Sequence, residues 1–329
     1  MPVLMEAKPV HARWSEVNRQ FLEFVEREPA CLDRASFAPL YQDPALRKFA
    51  LQPWPFFADA GRVREMERVA LGMDRLVKGV LQRFLRNDLG AVARFYRSRG
   101  NQDGTPMPTV PLGEAMLSLV IEEPDGIAGA PARGDYIETA EGLRMIEYNA
   151  GGALGGLQTD RVGGLHLQAA PTARFLGERK LRVRPPEVLA VFFRHLVEDT
   201  VRLGVWTEGP FNVAMSVRPH DPDRVASHSA EVYTRHLRRA LDERGMAAGG
   251  RVLLCSCAEL VPERGWLTLQ GHRIHAIVEQ HDSRADIRAV FRAFKTGRVN
   301  FFSGPVSWLL GDKRNLVLLS EHAGSADFT

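Results

Sequence analysis

The chain has 329 residues, 45% of them apolar and 25% charged, and its formal net charge is only +3. That length suits about two domains with sizeable cores, and the small charge imbalance argues against bulk nucleic-acid binding. The opening Met1 to Lys8 lacks a signal-peptide pattern, no apolar run approaches the roughly 18–20 residues needed to span a bilayer, and Cys31, Cys255 and Cys257 form no disulfide framework, so a soluble, cytoplasmic protein is expected.

Residues 1–130 read as a mainly helical region. Ser15 is placed to cap a helix with Val17, Phe21, Phe24 and Val25 on one face, and a second helix runs from about Gly61 to Phe95 with Met66, Val69, Met73, Leu76 and Val77 at helical spacing. Trp54, Phe56 and Phe57, among prolines, read as a loop entering the core. Residues 131–204 hold a β-hairpin over 133–149, a glycine-rich stretch (Gly151, Gly152, Gly155, Gly156, then Gly163 and Gly164), and a helix that Pro185-Pro186 opens and that runs to about Leu203. From 205 to 329 strands and helices alternate: strands Phe211 to Val217, Gly250 to Cys257, Arg273 to Glu279 and Val299 to Phe302, helices over 227–245 and 284–296, and a last helix from near Ser307. That alternation predicts an α/β layer.

The hairpin carries the chemistry. If it is symmetric about Glu141, Asp135 faces Glu147 and Arg133 faces Asn149, and the two-residue side-chain period puts all four on one face. Opposed carboxylates repel; a hard divalent cation turns that repulsion into coordination, and an arginine fork beside it suits a phosphate.

Arg133-x-Asp135 followed by Glu147-Tyr148-Asn149-Ala150 and a glycine-rich turn resembles the metal site of circularly permuted ATP-grasp ligases, the glutathionylspermidine synthase-like family. The resemblance is specific over about residues 133–160. It implies an α/β fold with a helical N-terminal portion and permuted ATP-grasp-like mixed-sheet layers. The implied reaction is ATP-dependent ligation of a small-molecule or peptide carboxylate to an amine through an acyl phosphate, with ATP and Mg²⁺ as cofactors and no nucleic-acid or membrane partner. Asp135, Glu147 and Asn149 are then the metal ligands and Arg133 the residue that contacts the transferring phosphate. The tail from Gly297 through Lys313 is similar to the family element beside the nucleotide, which makes Lys313 a nucleotide-side residue. Gly151 and Gly152, whose backbone N–H groups could lie against an anion, are cofactor-binding candidates, and by resemblance their loop stands where the family meets its acyl substrate. No Lys-Pro followed by a glycine-rich lid occurs, so a C-terminally truncated ligase is expected; the alternative is a non-catalytic relative that keeps the substrate cleft.

Other signals are weaker. Gly151 to Gly156 is neither a Walker loop nor a dinucleotide fingerprint, and family residues of the Asp-Thr-Pro-Thr type are absent, which leaves the acid and amine open. His275, Glu279 and His281 on one strand would span about 20 Å, too far for one zinc. Cys255 and Cys257 read as buried apolar cysteines, and Arg284, Arg288 and Arg292 as the solvated face of an amphipathic helix.

Overall fold

The computed structural model describes residues 16–28, 34–43, 46, 54–87, 130–139, 141–151, 155–216, 223–246, 249–279, 288–302, 304, 310–311 and 313–322. The fold is mixed α/β. The helices are α1 (Glu16–Arg27), α2 (Ala38–Gln42), α3 (Ala60–Asn87), α4 (Thr159–Gln168), α5 (Ala170–Glu178), α6 (Val188–Arg202), α7 (Asp223–Asp242), α8 (Arg288–Lys295) and α9 (Arg314–His322). The strands are β1 (Ala132–Thr139), β2 (Gly142–Ala150), β3 (Phe211–Ser216), β4 (Gly250–Cys255), β5 (Val261–Glu263), β6 (Trp266–Leu269), β7 (His272–Ile274), β8 (Ala276–Glu279) and β9 (Asn300–Phe301).

The core is a four-stranded parallel sheet in the order β4-β3-β8-β9. All six residues of β3 are buried, as a parallel strand covered on both faces requires. Phe211, Val213 and Met215 face α6 and α7 through Phe193, Leu196, Val197 and Leu237. Ala214 faces the opposite way, into a core made with Ile277, Val290, Leu267 and Ile274. That second layer is α8 together with a three-stranded antiparallel meander, β5-β6-β7. The buried Cys255 and Cys257 behave as small apolar residues, as their spacing suggested.

The expected single strand from Arg273 to Glu279 is two strands. His272–Ile274 pairs antiparallel with β6 and Ala276–Glu279 pairs parallel with β3; the chain changes sheets at His275. His275 is 4% exposed. Its N–H donates to the Asn212 carbonyl at 2.9 Å, its Nδ1 accepts from the Asn212 N–H at 3.2 Å, and the Asn212 amide donates to the Arg273 carbonyl at 3.0 Å. Those bonds satisfy the backbone where neither ladder can. Burial, and then the charge of Arg273, pushes the imidazole down to about 4. His281 lies outside the described residues.

Gly163 and Gly164 belong to α4 rather than to a loop. A Cβ at Gly163 would stand 3.0 Å from Pro185, so its hydrogen is what lets α4 approach the segment before α6. Asp160 of α4 in turn accepts from the Val188 and Leu189 N–H groups at 2.6 and 3.0 Å, capping α6 two residues after Pro186. α1 docks on α5 with the Phe21 and Phe175 rings 5.1 Å apart, and Phe57 joins the same cluster while Phe56 is exposed. Ser15, the continuation of α3 past Asn87, Arg284 and Ser307 lie outside the described residues.

Candidate functional site

The hairpin β1–β2 places the cluster. Asp135 is paired with Glu147 and Arg133 with Asn149, as the sequence predicts, but the hairpin is not symmetric about Glu141. Below Asp135 the register shifts, so that Tyr136 faces Met145 and Thr139 faces Gly142, with Ile146 bulged out. The turn is closed by Thr139, whose Oγ1 donates to the Gly142 carbonyl at 2.8 Å and accepts from the Glu141 N–H at 3.2 Å. Without the bulge Asp135 would face Ile146, because a one-residue slip moves a side chain to the other side of the sheet.

On the cluster face the side chains are joined in one chain of contacts. Arg133 forks onto Asp135, Nε to Oδ1 at 2.8 Å and Nη2 to Oδ2 at 2.9 Å. Asn149 Nδ2 donates to Asp135 Oδ2 at 3.3 Å. From the start of α9, Lys313 donates to Asn149 Oδ1 at 3.3 Å and forms an ion pair with Glu147. Partial burial lowers the Lys313 pKa; Arg133 pushes the same way and Asp135 opposes it. Two cations therefore balance two carboxylates in a half-exposed cluster.

Gly155 backs Arg133. Its φ is +65°, and a Cβ there would lie 2.4 Å from Arg133 Nη1. Gly151 has φ +94° and donates its N–H to the Pro131 carbonyl at 3.0 Å, closing the open end of the hairpin. That N–H is therefore committed to the fold. Gly152 lies outside the described residues.

The opposite face of the hairpin is held by α3. Tyr148, 3% exposed and placed between Glu147 and Asn149, donates to Asp74 Oδ1 at 2.6 Å. Lys78 pairs with Asp74 Oδ2 at 2.9 Å and donates to the Ala130 carbonyl at 2.8 Å. Arg62 reaches Glu138 at 3.0 Å. Burial, then the hydrogen bond to Asp74, drives the Tyr148 pKa upward, so the phenol stays a donor at neutral pH. Asp74, Lys78 and Gly155 are the residues that sequence reasoning missed. Their only signal was an Asp-x-x-x-Lys pair on a helix and one glycine among several.

In chemical type alone, the donor set suits a hard divalent cation. Among the described residues no group of three or more His, Cys, Asp or Glu side chains could hold a metal. A cation here would use two carboxylates and the amide oxygen of Asn149, a hard all-oxygen set of the kind Mg²⁺ takes together with water and phosphate oxygens. The Lys313 ammonium already stands as a positive charge between Glu147 and Asn149. Among the described residues no helix is long and apolar enough to cross a membrane.

The sequence matches no family model and no curated protein. Among solved structures the chain is similar to a glutathione synthetase-like effector from Globodera pallida in its apo form, at 12% identity and a TM-score of 0.47, over 94% of this chain and 67% of the other.

Proposed function

We propose that this chain is an ATP-dependent carboxylate–amine ligase of the ATP-grasp type. The observation that supports this most is the meeting of Lys313 with Glu147 and Asn149 across more than 160 residues, beside the Arg133–Asp135 fork. The resemblance assigns these five residues to one nucleotide–metal site, and spacing alone gives no reason for Lys313 to be there.

In this reading Asp135, Glu147 and Asn149 hold Mg²⁺, which when bound neutralises charge on the β- and γ-phosphate oxygens. Arg133 and Lys313 supply the remaining positive charge. Arg133, whose Nε and Nη2 lie on Asp135 and whose Nη1 occupies the space left by Gly155, turns its guanidinium to the γ-phosphoryl group once Mg²⁺ takes over Asp135, and that contact strengthens as charge shifts onto the transferring oxygens. A substrate carboxylate oxygen bonds to the γ-phosphorus as the bridging P–O bond breaks and ADP leaves. The amine nitrogen then bonds to the acyl carbon, the acyl–phosphate C–O bond breaks, phosphate leaves, and the nitrogen loses a proton to water. The side chains orient and neutralise; none is a nucleophile.

A second reading is a non-catalytic binding protein. It draws on the fact that both carboxylates already have cationic partners within the chain. ADP formation from ATP and Mg²⁺, followed across panels of amino acids, short peptides and polyamines, separates the two. Production of ADP that needs both an acid and an amine, and that is lost in Arg133→Ala, supports the ligase. Saturable ATP binding without ADP under every pair supports the binding protein.

A further inference from the structure

The outward face of the β5–β6–β7 meander carries two guanidinium groups on one indole. Trp266 and Thr268 alternate along β6 with the core residues Leu267 and Leu269, and Arg273 stands across from Thr268 on β7. Arg273 Cζ lies 3.2 Å from the Trp266 ring centroid, and Arg298, from the turn between α8 and β9, brings its Cζ to 4.6 Å from the same centroid. The ring attracts each cation, but the cations repel each other. Among the described residues neither has a carboxylate partner. Arg273 Nη2 donates to the Val205 carbonyl at 3.1 Å, and its Nε is buried with no hydrogen-bond partner among the described residues. The nearest acid by register, Glu263 opposite Trp266, accepts from the Thr268 hydroxyl at 3.4 Å instead. Burial, then the charge of Arg298, lowers the Arg273 pKa, and no acid offsets them.

A partly buried guanidinium that is short of one hydrogen bond and stands beside a like charge is costly, and an anion on the accessible nitrogens of the two arginines offsets their repulsion. We propose that Trp266, Arg273 and Arg298 form an anion site for a small molecule bearing a phosphate or carboxylate group. The two planar forks supply donors for the oxygens, and the half-buried indole supplies an apolar wall. The site lies at the end of the parallel sheet from which β3 and β9 start, since Val205 precedes β3 and Arg298 precedes β9. It does not rest on the ligase reading.

The test is thermal unfolding of the full chain in inorganic phosphate, in acetate and in chloride at matched ionic strength. Arg298→Gln, Arg273→Gln and Arg133→Gln are compared, the last because Arg133 belongs to the hairpin cluster. Phosphate is expected to raise Tm by roughly 2–4 °C over chloride, in the parent chain and in Arg133→Gln alike. Arg298→Gln, at an exposed position, should lose that gain and also be slightly more stable than the parent in chloride, because the repulsion is relieved. An equal gain in acetate assigns carboxylate ligands to the site, and a gain in phosphate alone assigns phosphate. The proposal is overturned by a phosphate gain that persists in Arg298→Gln. It is also overturned if no anion gives a gain while Arg298→Gln lowers Tm in chloride, which would make the stack a packing clamp.

Discussion

Tyr148 donates its hydroxyl hydrogen to Asp74 at 2.6 Å, tying the C-terminal end of β2 to a helix residue 74 positions upstream. Because Tyr148 sits between Glu147 and Asn149 and points the other way, this bond fixes the strand that carries two of the three candidate metal ligands. Tyr148→Phe keeps the ring and removes the bond. It should cost about 1–3 kcal/mol of stability, since Asp74 keeps Lys78 but loses its closest donor. It should also weaken Mn²⁺ binding severalfold, whereas a phenylalanine that only loosened packing would leave metal affinity unchanged. Denaturant unfolding and a metal titration on the same samples read both effects.

Lys313 should act in opposite directions on metal and nucleotide. It holds Glu147 and Asn149, so an entering cation must displace it. Lys313→Met should therefore raise Mg²⁺ affinity without nucleotide by up to about fivefold, the range expected for a half-exposed ion pair. The same change should weaken ATP binding, because a charge facing the phosphates is gone. Calorimetric titrations with each ligand would show it; affinities moving together would place Lys313 outside this site.

Gly155 and Gly209 separate backbone strain from contact with Arg133. Both have positive φ, +65° and +78°, but a Cβ meets Arg133 Nη1 at 2.4 Å in the first case and nothing within 4 Å in the second. Each change to alanine should cost about 1 kcal/mol for the left-handed backbone. Only Gly155→Ala should also displace the guanidinium and weaken ATP binding. Equal loss of nucleotide affinity in both variants would show that Gly155 does not act through Arg133.

His275 makes stability depend on pH in a defined window. Its folded-state pKa is about 4, below the ordinary value of 6.5. Between those values the unfolded chain binds more protons, so the contribution is fully present above pH 6.5 and is lost as pH falls toward 4. The upper bound is about 3 kcal/mol. His275→Gln, which keeps an acceptor for the Asn212 N–H, should flatten the stability profile between pH 4 and 6.5 relative to the parent. Parallel profiles would mean that other groups carry the acid sensitivity.

The hairpin itself was legible from alternation and a turn residue, but the pairing of Asp135 with Glu147 followed from a turn centre at Glu141 that the structure does not have; the actual turn would set Asp135 against Ile146, and only the bulge restores Glu147. The bulge at Ile146 was not legible, since nothing in Leu143 to Ile146 distinguishes a regular ladder from one with an extra residue. β3, β4, α6 and α7 were readable from apolar runs and helical periodicity. The split at His275 was missed because Arg273 to Glu279 alternates well enough for one strand. What divides it is Asn212, a residue more than 60 positions away, which satisfies the backbone at the crossing. The α4–α5 pair was hidden by Gly163 and Gly164, whose helical role depends on the approach of Pro185. The placement of Lys313 came from resemblance rather than from pattern, and Asp74 and Lys78 lie on the far side of the hairpin, where only tertiary packing identifies them.

In the proposed ligase the hairpin cluster of Arg133, Asp135, Glu147, Asn149 and Lys313 is a cation–phosphate site. The measurement that tests this most directly is Mn²⁺ binding, followed by electron paramagnetic resonance with and without a non-hydrolysable ATP analogue, in the parent chain, Asp135→Asn and Glu147→Gln. Mn²⁺ should bind saturably, more tightly with the analogue, and at least about tenfold more weakly in either variant, the loss of one charged ligand being worth well over about 1.4 kcal/mol. Mn²⁺ that binds equally well in all three proteins, or that does not respond to the analogue, would contradict this assignment.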